Sequence, residues 1–197
     1  WPTIISNLLF TTVGFMHIKI ASPMGTNAVA AVTTGHRVFF LIQAIMMGLS
    51  VATTALVARS WGADDPRRAE MVTWTSLALA ISLGLLLGIP AIVIPEAVAG
   101  LFRLDAETTA LAAKFIFWLG LFNVFSAINL VLSTALRATG DVITPLWFLF
   151  FSSLLNVVFG YLLAFGAGFL PAFGVGGISL GGSSAATIIT FFFVWFW

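Results

Sequence analysis

The sequence predicts an all-α protein that crosses a membrane six times. Three observations predict it. Hydrophobic residues make up 60% of the 197 and charged residues only 8%, where a water-soluble domain carries about a quarter charged. A soluble fold of this size has too little interior to hide so much apolar surface, so lipid must be the solvent for most of the chain. The apolar residues also fall into six runs, each long enough to cross a hydrocarbon core of about 30 Å as roughly 20 helical residues. Within those runs the apolar residues are continuous rather than alternating, which excludes a transmembrane β-barrel.

The first helix is expected over 2–22, with Pro2 in its first turn. Pro23-Met24-Gly25-Thr26-Asn27 then turns the chain. The second helix, over 28–59, is on the order of 45 Å long and must tilt or project beyond the bilayer. A polar loop follows, in which Asp65 is placed to cap the third helix and Pro66 to open it. That helix is expected over 66–95 and to kink at Pro90. Residues 96–107 read as an interfacial link and 108–136 as the fourth helix. Arg137-Ala138-Thr139-Gly140-Asp141 is a tight connection, with Arg137, Gly140, Asp141 and Pro145 as its structural residues. The fifth helix is expected over 145–166, capped by Thr144, and the sixth over 176–197 after a loop at 166–174. All six belong to one domain, 1–197. The chain starts at Trp1 and stops within the apolar run 191–197, so both ends are read as cuts in a longer protein.

Charge and composition narrow the function. A net charge of +1 gives no bulk attraction for nucleic acid. The absence of cysteine removes disulfides, zinc–thiolate sites and thiol nucleophiles. No Ser/His/Asp triad, carboxylate pair, metal cluster or phosphate loop is visible, and the acids lie only in loops and at helix ends, so neither an enzyme nor a cofactor is expected. Arg59, Arg67, Arg68 and Arg137 border the loops after the second and fourth helices. Arg103, with Lys19 and Lys114, lies on the opposite side. The excess of positive charge places the N-terminus in the cytoplasm.

Three stretches carry a family resemblance. Gly25-Thr26-Asn27-Ala28-Val29-Ala30-Ala31-Val32, with Gly48-Leu49-Ser50 and Ala58-Arg59-Ser60-Trp61-Gly62-Ala63-Asp64, forms a small-residue helix and its exit. Leu136-Arg137-Ala138-Thr139-Gly140-Asp141 with Thr144-Pro145 forms an Arg-x-x-Gly-Asp-x-x-x-Pro pattern. Leu155-Asn156, Phe165-Gly166 and Phe173-Gly174-Val175-Gly176-Gly177 lead into the last helix. In this order and spacing they resemble the N-terminal half of multidrug and toxic compound extrusion (MATE) transporters. The resemblance implies one six-helix lobe of a twelve-helix secondary transporter in a bacterial or archaeal plasma (inner) membrane. It also implies a second lobe that this chain lacks, a small organic substrate, and exchange against H⁺ or Na⁺.

Ionisable and amide side chains inside membrane helices are the candidate site residues. His17 lies about 22 Å along the first helix from Pro2. It stands where the family pattern has an aspartate tied to cation coupling. An imidazole exchanges protons near neutral pH but does not usefully hold Na⁺. His17 is therefore either a proton-responsive cavity residue or a neutral ring hydrogen-bonded between helices. Asn156 matches the family's asparagine in the fifth helix, and Gly160 stands where the family often has another aspartate. Gln43, Asn123 and Asn129 are expected either to pack or to line the same cavity. Arg37 is expected either to set a positive cavity wall or to reach outward, and Lys19 to reach the interface. Two rival functions remain open: a flippase of lipid-linked oligosaccharides from the same superfamily, with a basic cavity, and a non-transporting membrane scaffold or subunit.

Overall fold

The computed structural model describes residues 2–166 and 171–196. In chain order the elements are α1 (Pro2–Ala21), a single 3₁₀ turn (Ser22–Met24), α2 (Thr26–Gly62), α3 (Pro66–Val93), a short α4 (Pro95–Gly100), α5 (Ala106–Ala138), α6 (Ile143–Phe165) and α7 (Val175–Phe196). All but the 3₁₀ turn and α4 are long and apolar enough to cross a membrane, which gives six spans. Residues 167–170, in the expected loop before the last span, and Trp197, at its expected end, lie outside the described residues.

The two connections that follow α2 and α5 use one device. At the end of α5 the Gly140 N–H bonds the Arg137 carbonyl and the Asp141 N–H bonds the Leu136 carbonyl. At the end of α2 the Asp64 N–H bonds the Trp61 carbonyl and the Asp65 N–H bonds the Ser60 carbonyl. These paired closures satisfy the last carbonyls of a helix and require one residue at positive φ. Gly140 supplies it at φ 99° and Asp64 at φ 56°. In each case the next residue is an aspartate that caps the following helix. Asp65 accepts from the Arg68 N–H at 3.0 Å. Asp141 accepts from the Ile143 and Thr144 N–H groups at 3.1 and 3.0 Å.

Several expectations are corrected here. Thr144 does not cap the fifth span: Asp141 does so, and the helix starts two residues early with Pro145 buried in its first turn. The third span ends at Val93, because the Ile94 N–H closes on the Pro90 carbonyl and Pro95 opens α4. The link expected over 96–107 is thus partly helical. α2 begins at Thr26 and continues through Ser60–Gly62, residues whose polarity reads as loop.

The packing is that of a protein in lipid. Large apolar side chains such as Phe15, Phe40, Met47, Val51, Leu86 and Phe191 are exposed. The buried set is rich in alanine, with Ala21, Ala31, Ala80, Ala112, Ala135 and Ala185 fully enclosed. Small residues let backbones approach closely, and this drives helix association where lipid tails are as apolar as leucine. The closest approaches show it. A Cβ on Gly88 of α3 would lie 2.8 Å from the Gly120 carbonyl oxygen of α5. A Cβ on Gly181 of α7 would collide with the backbone of Gly160 in α6. α5 is the central post, packed against α2, α3 and α7, while α1 leans on α6 and α2.

Candidate functional site

α5 lays a continuous stripe along one face: Phe115, Leu119, Asn123, Ser126, Leu130, Ser133 and Arg137 recur at intervals of three and four residues. Over 22 residues the stripe covers about 33 Å. α1, α2, α6 and α7 stand around it and border a partly open cavity of about 360 Å³, lined also by Phe10, Phe39, Gln43, Phe148, Ser152 and Asn156.

Two imidazoles line this cavity beside Phe115, at one end of the stripe. His17 Nδ1 lies 3.1 Å from His36 Nε2, and His17 Nε2 lies 2.6 Å from Asn156 Oδ1. A carbonyl oxygen only accepts, so Nε2 of His17 carries its hydrogen. When the ring is neutral it presents a lone pair at Nδ1, to which the His36 Nε2–H donates. In that state the chain of donors runs His36, His17, Asn156, across α2, α1 and α6. The His36 ring also packs on Phe115, with centroids 5.7 Å apart. No group of three metal-ligating residues occurs among the described residues, and a pair of imidazoles is too few to build a structural metal site.

Of the candidates read from the sequence, His17, Gln43, Asn123 and Asn156 all line this one cavity. Their roles differ. The Asn123 amide donates to the Gly84 carbonyl at 3.0 Å, tying α5 to α3. Asn129 donates to Thr190 Oγ1 and to the Ala186 carbonyl, tying α5 to α7. Gln43 Oε1 is buried with no hydrogen-bond partner among the described residues. Arg37 is a correction: it is exposed and does not line the cavity. Its neighbour His36 faces inward, and one residue along a helix turns about 100°. Lys19 is likewise exposed. His36 escaped sequence reasoning, although it shares a helical face with Gln43 seven residues on. Arg137 was read only as a turn residue. Its carbonyl serves the turn, and the residue, exposed at the end of α5, also lines the cavity.

No aspartate or glutamate is among the lining residues. The acids sit at helix ends. Hydrogen bonds from the backbone and hydroxyl of Thr108 hold the Asp105 carboxyl below its ordinary value, and those from Thr144 do the same for Asp141.

The sequence comparisons now decide the family. The MatE family model matches residues 2–162, most of the chain.

The chain belongs to the MatE family.

Its MatE relatives include a Mannheimia succiniciproducens protein named as the multidrug resistance protein NorM, 31% identical over 146 residues, covering 74% of this chain and 31% of that protein. The multidrug resistance protein MdtK of Yersinia pseudotuberculosis is 30% identical over 150 residues, covering 73% of this chain and 32% of that protein. Among solved structures, a transporter of the MOP superfamily from Pyrococcus furiosus superposes with a TM-score of 0.89 at 25% identity, covering 99% of this chain and 42% of that one. It is described as having a binding pocket of reverse polarity that suggests a different function. The chain thus spans about a third to two fifths of the length of these relatives. It is an integral membrane protein of six apolar helices.

Proposed function

We propose that this chain is the N-terminal lobe of a secondary transporter that exports organic compounds in exchange for protons. The observation that carries the reading is the long cavity into which five helices turn polar side chains, with the His36–His17–Asn156 relay in its lining. In a membrane such groups are costly and mark a transport path. The two MatE relatives named above are described as multidrug resistance proteins, which supports drug export as the substrate range. The second lobe would close the cavity and rock against this one. Protons fit better than Na⁺ as the coupling ion, because the relay offers imidazole and amide groups and no carboxylate. The positive loops after α2 and α5 support a cytoplasmic N-terminus in the inner membrane. A flippase would need a basic wall, and among the described residues Arg137 is the one permanently charged residue that lines the cavity, while Lys19 and Arg37 do not line it.

The test uses the full-length protein in proteoliposomes. An imposed pH gradient should drive substrate against the proton flow. His17→Ala should abolish most of the acceleration by the gradient while substrate still binds. Unchanged proton dependence in that variant would remove the coupling role of the relay, and no gradient-driven movement in the parent protein would remove the antiport reading.

A further inference from the structure

Resting on the transport reading, we infer that the cavity takes an aromatic organic anion rather than an organic cation. Among the described residues its lining contains no carboxylate, and the one permanently charged residue in it is Arg137, exposed at the end of α5. A cation entering it would lose hydration without finding a counter-charge, and would meet the guanidinium. An anion would find its partner there.

Arg137 is available for that task. The nearest acid in sequence, Asp141, is committed to the Ile143 and Thr144 N–H groups. No ion pair joins Arg137 to an acid among the described residues. A guanidinium presents a planar fork that matches a carboxylate, sulfonate or phosphate with two parallel hydrogen bonds. Ser133 lies one turn before it on the same stripe, and Ser152 faces the cavity from α6. Neither hydroxyl has a protein partner among the described residues, so both can donate to an anion. The aromatic part of the ligand is specified by Phe10 and Phe148, which line the cavity with Ser133 and Arg137. Phe148 is held in place by stacking on Phe193, with centroids 4.2 Å apart.

The experiment measures equilibrium binding by fluorescence anisotropy, with the full-length protein in phosphatidylcholine nanodiscs. The probes are fluorescein, a planar dianion, and ethidium, a planar cation. Fluorescein is expected to bind at least about tenfold more tightly, a margin that one charge-assisted pair can supply. Arg137→Gln should remove that margin. Ser133→Asp, which sets a carboxylate one turn from Arg137, should reverse the preference; it carries the test if Arg137→Gln does not fold. Ethidium binding as tightly as fluorescein, binding of neither dye, or an unchanged preference in Ser133→Asp would overturn the inference. Gradient-driven ethidium export without fluorescein binding would overturn it and leave the transport reading standing. Arg137-dependent fluorescein binding with no gradient-driven movement of either dye would do the reverse.

Discussion

At the scale of single residues, the relay makes the sharpest claim. His17 is buried, and each of its ring nitrogens is already within hydrogen-bonding distance of one partner. Removing one partner alone should cost more than removing both, because a buried donor left unmade carries its full desolvation cost. Asn156→Leu is therefore expected to destabilise the full-length protein by about 1–3 kcal/mol. Adding His17→Leu together with His36→Leu should restore part of that loss, since no ring donor is then left without its partner. Unfolding in mixed micelles would measure both, and strict additivity of the Asn156 change with the paired histidine changes would show that the contact is not made. The sequence carried half of this. His17 and Asn156 stood out because polar residues are rare in apolar helices. Their meeting was not legible, since it joins positions 139 apart in sequence and depends on the rotation of two helices about their axes. His36 was hidden beside Arg37, whose charge draws attention to the outer face of the same turn.

At the scale of elements, the repeated turn explains why the motif between the fourth and fifth spans has its form. Glycine at position 140 supplies the positive φ that ends α5, and aspartate at 141 receives the free N–H groups that begin α6. Asp141→Ala should cost about 1 kcal/mol, the usual value of a lost cap. The penalty should depend on pH. The folded state holds the Asp141 carboxyl below its ordinary 3.8, so the unfolded chain binds its proton first as the pH falls. The stabilisation is therefore full well above 3.8 and is lost progressively as the pH drops below it. Melting curves of parent and variant should be separated at neutral pH and converge in acid; a constant separation would count against the cap. Sequence placed this turn within a few residues, and it recognised Asp65 as the cap of α3. It assigned the cap of α6 to Thr144 because the hydroxyl lies next to Pro145. Asp141 reaches the same N–H groups from further back, and a carboxylate is the stronger acceptor.

At the scale of the molecule, six spans and their order followed from apolar runs of membrane length, but the packing that makes them one body did not. It rests on backbone approaches at Gly160–Gly181 and Gly88–Gly120, where a Cβ added at Gly181, Gly88 or Gly120 would collide with the neighbouring helix. Such contacts leave helices little room to slide. The expected behaviour is rocking of a rigid lobe against its partner. Spin labels on the exposed positions Met47 of α2 and Leu154 of α6 would report on it in the full-length protein. Their distance distribution should superimpose at acid and alkaline pH, while distances from either position to the second lobe shift. A shift within the lobe as large as that between lobes would mean that α1, α2 and α6 move separately, and that the glycine contacts do not bind them into one unit.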